Sequence, residues 1–271
     1  MPSPDSHSRI SHEIEIRFYA ELNDFLPPQW RQQAFQHMFH GTPSVKDTIE
    51  AIGVPHTEVD VILVNDRSVG FEHLLQGGER VAVYPVFERY DVSPLTRLRP
   101  APLRVTRFIA DVHLGALARY LRLLGFDTTW ERDLADDAIV EMARNEHRII
   151  LTRDMGILKN GRVTHGYWLR STDPLEQLDE VVRAIDLGGN FEPYARCMEC
   201  NGELQPADRT AVAGSVPLQV FLVYREFRQC RRCHRVYWRG SHLRRLDRIT
   251  KRARAVSASA SSRPTGRGDI C

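Results

Sequence analysis

Four of the five cysteines in the sequence fall in two closely spaced pairs, Cys197-x-x-Cys200 and Cys230-x-x-Cys233. A CxxC turn presents two thiolates on one side, and two such turns complete the tetrahedral set of ligands that Zn²⁺ prefers. Because 29 residues separate the two pairs, the spacing predicts a closed, structural zinc site made by these four residues.

Acidic residues form a second candidate site. Asp111 and Asp154 each follow a short apolar segment, and Asp136 begins a helical pattern between them. Ligands of open parallel α/β folds gather at the carboxyl ends of the strands, and three carboxylates meeting there would repel one another without a cation. The residue types therefore favour Mg²⁺ or Mn²⁺. The ordinary alternative for Asp136 is a favourable charge at a helix N-terminus.

Alternating strands and helices must position these acids, within a unit that we place at residues 103–190. We predict strands at 107–111, 126–130, 148–152 and 166–170, and helices at 114–124, 136–146 and 173–186. This alternation predicts an α/β domain with a mainly parallel sheet in three layers. Asp173 precedes Pro174 at a helix start, where an acid is more often just a cap.

A smaller α+β unit is predicted to precede it, at residues 12–92. The alternating stretch 14–18 predicts a strand, Ser44 and Gly53 bracket a helix, and residues 59–64 and 80–86 predict two further strands. Three prolines in 93–102 indicate a linker between the two units.

The net charge of +2 is unevenly spread along the chain. Residues 1–95 carry 7 basic and 14 acidic groups, residues 96–189 carry 14 of each, and residues 190–271 carry 16 basic and 7 acidic groups. The basic end favours contact with a nucleic acid over a merely solubilising tail. The polar N-terminus and the absence of a long apolar run predict a cytoplasmic protein without membrane contact.

The third unit, at residues 191–248, contains the cysteines. Residues 216–223 and 227–238 are rich in strand formers, which predicts a zinc ribbon, and residues 249–271 are expected to be a disordered basic tail. His234 and His242 could replace or supplement a zinc ligand, although we expect each at the surface or facing RNA. Arginines and aromatics near the second cysteine pair suit phosphate contact and base stacking, namely Arg231, Arg232, Arg235, Tyr237 and Trp238. The alternative is that Tyr237 and Trp238 complete a small ribbon core.

Longer motifs carry a resemblance to a known family. "RFIADVHLGALARYLRLLGFDT", "DDAIVEMARNEHRIILTRD" and "STDPLEQLDEVV", followed by "RCMECNGEL" and "YWRGSH", are similar to the Mut-seven C-terminal RNase family, a branch of the PIN-like nucleases. The resemblance covers residues 104–245 and implies metal-dependent cleavage of RNA by clustered aspartates. It matches Asp111, Asp136 and Asp154 to the acidic positions, with Asp173 as a fourth candidate and Asp137 as an alternative to Asp136.

The N-terminal unit has a resemblance of its own. "SVKDTIEAIGVPHTEVDVILVN" and "GGERVAVYPVFE" resemble the ubiquitin-like sulfur carriers, which implies a β-grasp fold. Those carriers act through a free C-terminal Gly-Gly, whereas this chain continues past Gly78 to Tyr90 and beyond. We therefore expect a docking or regulatory role with a protein partner, or simple stabilisation, rather than sulfur transfer.

Together these patterns predict a metal-dependent ribonuclease, endonucleolytic by preference, in which one or two ions hold the scissile phosphate and deliver hydroxide in line. Arg119, Arg122 and Arg153 are candidate phosphate contacts, although any one of them could instead be solvated or paired with an acid. The alternative is a catalytically inactive RNA-binding or adaptor protein that uses the ribbon and the ubiquitin-like unit.

Overall fold

The computed structural model of the chain describes residues 11–85, 106–185 and 187–261, which fall into two compact units. The N-terminal unit comprises 11–85 together with 154–166, and the C-terminal unit comprises the remaining described residues. This grouping differs from the predicted division into consecutive domains at two points, and that division stays a prediction. Residues 154–166 group with the N-terminal unit, and the cysteine-rich region groups with the α/β sheet. The expected linker lies outside the described residues.

The N-terminal unit is built on one mixed sheet. Its strands are β1 (Ser11–Phe18), β2 (Phe35–His40), β3 (Val59–Val64), β4 (Arg67–Val69) and β5 (Arg80–Pro85), in the order β2-β1-β5-β3-β4. The central strands β1 and β5 are parallel, and the other pairs are antiparallel. This arrangement confirms the predicted ubiquitin-like β-grasp fold, although the sequence analysis missed β2 and β4.

One helix, α1 (Val45–Ile52), packs on that sheet. Ser44 caps it, because its Oγ accepts a hydrogen bond from the Asp47 amide at 3.1 Å, and Gly53 ends it with φ of 124°. Val45 and Ile49 are fully buried with the inward side chains of β1. The predicted boundaries of this helix are confirmed.

The C-terminal unit contains the predicted parallel sheet. Its strands are β6 (Arg107–Ala110), β7 (Asp127–Thr129), β8 (Ile149–Thr152) and β9 (Gly166–Trp168), in the order β7-β6-β8-β9. The helices along this stretch that belong to the same unit are α2 (Gly115–Leu123), α3 (Asp136–Glu146) and α5 (Pro174–Ala184). The short helix α4 (Met155–Leu158) lies in the segment that groups with the N-terminal unit. Strand β6 pairs in parallel with both β7 and β8.

The strand order determines where a ligand site can form. The chain leaves β6 toward β7 through α2, and it returns from β7 past β6 to β8 through α3. Since parallel crossovers are right-handed, these opposite directions place α2 and α3 on opposite faces of the sheet. The connections from β6 and β8 diverge, so the crevice at their carboxyl ends is the switch point where α/β proteins bind ligands.

The cysteine-rich region forms a three-stranded antiparallel sheet of β10 (Leu204–Ala207), β11 (Phe227–Cys230) and β12 (Val236–Trp238). The strand expected within 216–223 is wrong, because Leu218–Val223 is a helical turn, α6. The carbonyl of Pro217 accepts a hydrogen bond from the Phe221 amide at 3.0 Å. Local helical hydrogen bonding therefore prevails over the β propensity of these residues.

The last element is α7 (Ser241–Ser261), which corrects the expectation of disorder from residue 249. Ile249 and Ala253, four residues apart, are buried, and α7 packs against α5. The Arg252 guanidinium binds both carboxylate oxygens of Asp179 at 2.9–3.2 Å. Among the described residues, no helix combines the length and the apolar character needed to cross a bilayer.

Candidate functional site

The four paired cysteines converge in the C-terminal unit. The Sγ atoms of Cys197, Cys200, Cys230 and Cys233 all lie within 4.8 Å of one another. Two sulfur–sulfur distances are 3.7 Å, between Cys197 and Cys233, and 3.4 Å, between Cys200 and Cys230. A tetrahedral zinc site with bonds of about 2.3 Å separates its sulfurs by about 3.8 Å. The cluster could therefore hold a zinc ion.

Matching backbone turns present the two cysteine pairs. The amide of Asn201 donates to the carbonyl of Cys197 at 2.9 Å, and the amide of His234 donates to the carbonyl of Cys230 at 3.1 Å. Asn201 and His234 both have positive φ angles, of 65° and 59°. His234 thus occupies the turn position that is equivalent to Asn201. This position explains why His234 lies beside the cysteines, and no role as a zinc ligand is needed to explain it. The side chain of His242 lies outside the described residues.

Protonation of the thiols depends strongly on their surroundings. Burial would raise the pKa of Cys197, but hydrogen bonds from the Tyr237 hydroxyl at 3.0 Å and from backbone amides lower that pKa to about 7. Burial and the neighbouring sulfurs raise the pKa of Cys200 to about 12. Cys197 therefore ionises more readily than Cys200, and a zinc ion bound to the cluster would displace thiol protons into the solvent.

The first cysteine turn is anchored on the α/β sheet through Arg122. This residue is 3% exposed, and its guanidinium donates to the carbonyls of Thr128, Met198 and Glu199 at 2.8–3.1 Å. Burial lowers the pKa of Arg122, and the nearby thiols and Glu199 oppose that effect. The expectation that Arg122 contacts phosphate is therefore wrong, because the face of α2 that bears it packs on the cysteine turn rather than facing solvent.

Asp127 forms a second anchor, at the start of β7. Its carboxylate accepts from Arg148 and from the Asn201 amide group, both at 2.7 Å, and lies 3.7 Å from the Arg196 guanidinium. Burial would raise the pKa of Asp127, but the hydrogen bonds from Arg148 and Asn201 and the charges of Arg148 and Arg196 hold it below its ordinary value. Asp127 therefore remains ionised and joins the sheet to the cysteine turn.

Asp111 directly follows β6 at the carboxyl edge of the sheet. It is 6% exposed, its Oδ2 accepts from the Thr152 hydroxyl at 2.8 Å, and its Oδ1 accepts from the Val112 amide at 2.5 Å. No lysine, arginine or histidine pairs with it among the described residues. A buried carboxylate in such surroundings is a natural ligand for a cation.

The other predicted acids lie at helix starts. Asp136 is the exposed first residue of α3. Asp154 caps α4, since its Oδ1 accepts from the Gly156 amide at 2.7 Å. Asp173 caps α5 with bonds from the amides of residues 175 and 176 at 2.9 and 3.1 Å. Asp173 therefore has the role of a cap that its position before Pro174 indicated.

The acids do not form a group comparable to the cysteines. Within the described parts of the chain, the four cysteines are the only set of three or more potential ligands whose atoms lie within 4.8 Å of one another. Magnesium usually takes one or two protein carboxylates and retains several waters. Such an ion does not require all the acids in mutual contact.

The comparisons with known proteins agree with these features. The family model of the Mut7-C RNAse domain matches residues 106–250, and the model of the Mut7-C ubiquitin domain matches residues 11–91. The chain belongs to the Mut7-C RNase family. No curated protein and no solved structure matches the chain.

The predicted arginine contacts of the Mut7-C RNase domain differ in their surroundings. Arg119 pairs with Glu199 at 2.8 Å, and Arg231 binds Gln205 and Glu203 at 2.9 and 3.3 Å. Arg153, Arg232 and Arg235 are exposed. The Arg232 guanidinium donates to the Cys200 carbonyl. Arg153 and Arg235 form no side-chain ion pair among the described residues. Those last two cations are the freest to bind an anion.

A groove of about 1680 Å³ runs along the cysteine-rich part of this domain. Four arginines line it, Arg225, Arg228, Arg235 and Arg239, and none of them forms an ion pair within the described ranges. The Arg228 guanidinium donates to the backbone carbonyls of Tyr194 and Leu204. The lining also includes the aromatic rings of Tyr194, Tyr224 and Trp238. Trp238 also packs on the small core of the ribbon, and Tyr237 packs on the cysteines. Each of the two predicted stacking rings therefore has a packing role.

Sequence reasoning missed the residues that join the ribbon to the RNase sheet. Asp127 carries no motif, and its partners Arg148 and Asn201 lie 21 and 74 residues further along the chain. Asn201 directly follows the first cysteine pair, at a turn position that requires a residue tolerating positive φ. This preference was the one local signal in the sequence that marked Asn201 as a structural residue.

Proposed function

We propose that this protein is a metal-dependent ribonuclease that hydrolyses phosphodiester bonds within RNA chains. Membership of the Mut7-C RNase family supports nuclease chemistry. The observation that carries the proposal furthest is the carboxylate of Asp111, buried at the switch point of the sheet and facing no cationic side chain among the described residues.

Asp111 is oriented by its neighbours before any substrate arrives. The Thr152 hydroxyl, itself fully buried at the end of β8, holds Oδ2, and the Val112 amide holds Oδ1. Each oxygen keeps a further lone pair that can bind a cation. A carboxylate fixed in this way needs little reorganisation during the reaction, which is what an electrostatic role in catalysis requires.

The proposal places one or two Mg²⁺ or Mn²⁺ ions at this edge of the sheet, with their protein ligands drawn from Asp111, Asp136 and Asp154. Such an ion lowers the pKa of a bound water and stabilises negative charge on a phosphate. Only one residue separates Asp154 from the end of β8, and β8 is the strand that pairs with β6. That residue, Arg153, is the candidate contact to the substrate phosphate.

The ribbon groove is proposed as the place where RNA is held. Arg225, Arg235 and Arg239 provide positive charge there, and Tyr224 and Trp238 present ring surface beside it. Unpaired guanidinium groups bind phosphates, and aromatic rings stack on unpaired bases. The zinc ion that the cysteines could hold would maintain this surface rather than take part in the reaction.

Cleavage of labelled structured and unstructured RNA, with Mn²⁺, Mg²⁺ or EDTA, tests the proposal. We expect cleavage by the wild-type protein that EDTA abolishes, and a loss of about 100-fold or more in Asp111→Asn and in Asp154→Asn. Asp133→Asn, an exposed acid of the same domain, is the matched control and should retain activity. Unchanged cleavage in Asp111→Asn would overturn the proposed site.

A second candidate function is RNA binding without cleavage. The specific observation in its favour is that the acids do not form a compact ligand group within the described residues, whereas the basic groove needs no metal at the acids. Binding of intact RNA that is insensitive to EDTA, together with no cleavage under any of the metal conditions, would favour this function.

A further inference from the structure

The segment 154–166 lies inside the stretch that matches the RNase domain, yet it groups with the ubiquitin-like unit. It begins with Asp154 and continues through the single turn of α4. Ile157, Leu158 and Val163 of this segment are buried, whereas Met155 is exposed. Within this unit the segment contacts α1 through Lys159 and the short 3-10 helix His56–Glu58 through Val163.

Helix α1 meets the segment along one face. Lys46 and Glu50 are four residues apart and therefore lie on the same side of the helix. The Lys159 ammonium donates to the backbone carbonyl of Glu50 at 3.2 Å. The Lys46 ammonium lies 3.6 Å from where a Cβ on Gly161 would stand, so the segment approaches α1 closely at this glycine.

His56 makes the most buried of these contacts. It is 6% exposed, its Nε2 lies 2.8 Å from the carbonyl oxygen of Val163, and its Nδ1 lies 2.6 Å from a carboxylate oxygen of Glu50. A carbonyl can only accept, so Nε2 carries a hydrogen and donates it. The ring of Phe71 packs edge-on against the imidazole at 5.6 Å. His56 is thus fixed on three sides, with Val163 as the residue it holds.

The distance along the chain from these contacts to Asp154 is short. The amide of Lys159 donates to the carbonyl of Met155 at 3.1 Å, so one closed helical turn joins the residue that binds Glu50 to the residue after Asp154. This hydrogen-bonded turn therefore links Lys159 directly to the residues that Asp154 caps.

We infer that the ubiquitin-like domain acts within its own chain as the platform that positions Asp154, through a clasp formed by Lys46, Glu50 and His56 on residues 159–163. His56 is the positioning residue of this clasp. The inference rests on the proposed role of Asp154 as a metal ligand. It also means that this face of the β-grasp fold is occupied by the chain itself and is not open to a separate protein partner.

Two variants of the full-length protein test the clasp, and neither readout of the first test depends on activity. In His56→Ala, hydrogen exchange across 154–166 and tryptic cleavage after Lys159 and Arg162 should both rise about tenfold, because local opening becomes easier. His56→Gln, which keeps a donor for the Val163 carbonyl, should restore much of the protection. His40→Ala, on the exposed edge of the same domain, is the matched control.

Exchange within β3 shows whether the domain itself remains folded in His56→Ala. If β3 stays protected and exchange across 154–166 equals that of the wild type, the clasp does not hold the segment and the inference is overturned. If β3 loses protection as well, Lys159→Met replaces His56→Ala in the comparison, since Lys159 lies outside the β-grasp core.

Positioning of Asp154 is measured separately with Mn²⁺ alone and with RNA. We expect His56→Ala to weaken Mn²⁺ binding about tenfold, in the same direction as Asp154→Asn, and to lower kcat with little change in KM for RNA. Faster exchange with unchanged Mn²⁺ affinity and kcat would overturn the positioning role. If the wild-type protein binds Mn²⁺ but cleaves no RNA, the proposed function fails while the Mn²⁺ titration still decides the clasp.

Discussion

At the scale of single residues, the partners of a buried charged group distinguish a structural role from that of a candidate ligand. Arg122 and Asp127 carry opposite charges, and both are used to bind the first cysteine turn to the sheet. Asp111 is buried to a similar degree as Arg122, but no cation pairs with it within the described residues. A buried ion with a complete set of partners has a structural role, whereas one without a counter-charge is the better candidate for a ligand.

Asp127→Asn should destabilise the C-terminal unit by about 2 to 3 kcal/mol at pH 7, because Arg148 loses its buried counter-charge. The pKa of Asp127 is lowered in the folded protein, so its stabilising effect is present above the unfolded pKa of about 3.9 and is lost as the pH falls through the folded value. Urea unfolding of the wild type and the variant at pH 7 and in steps below pH 4 measures this difference. A difference that grows toward low pH would contradict the assignment.

At the scale of elements, periodic segments were predictable and those stabilised by distant partners were not. Helix α1 has its own cap and stop in Ser44 and Gly53, and its bounds agree with the prediction. Helix α7 has few large apolar side chains, and its position depends on Asp179, which lies 73 residues earlier in the chain. The turn α6 follows Pro217 in a stretch whose β-branched residues favoured a strand. The paired cysteines were predictable because a CxxC turn is a local signal.

Arg252→Ala should lower the stability of the C-terminal unit by about 1 kcal/mol, since the two-pronged pair with Asp179 is partly exposed and Asp179 is left without its main partner. In a unit of this size, that change corresponds to a melting temperature lower by about 2 to 4 °C. Differential scanning calorimetry makes the measurement. Arg254→Ala, an exposed arginine on the same helix, is the control and should melt like the wild type.

At the scale of the whole molecule, the cysteine-rich region and the α/β sheet form one unit rather than two. The amide of Thr128 in β7 donates to the Asn201 side chain at 3.1 Å, so a sheet strand is bonded directly to the first cysteine turn. Loss of metal would therefore affect the sheet as well as the ribbon.

Cys200→Ser should reduce bound zinc from one equivalent to less than about half and lower the melting temperature of the C-terminal unit by about 10 °C. Elemental analysis and calorimetry measure the two effects. Hydrogen exchange at β7 should accelerate because the Asn201 contact is lost, whereas β3 in the ubiquitin-like unit should exchange as before. A β7 strand that keeps its protection would show that the sheet does not depend on the metal turn.

The clasp on residues 159–163 also affects what a protease could separate. The chain passes between the two units three times: once between residues 85 and 106, and again at each end of the segment 154–166. A single cut between residues 85 and 106 would produce two polypeptides. The C-terminal fragment would contain the segment 154–166, and His56 and Glu50 of the N-terminal fragment would still bind that segment. The nicked fragments should therefore co-elute as a non-covalent complementation pair, as the halves of a split protein do.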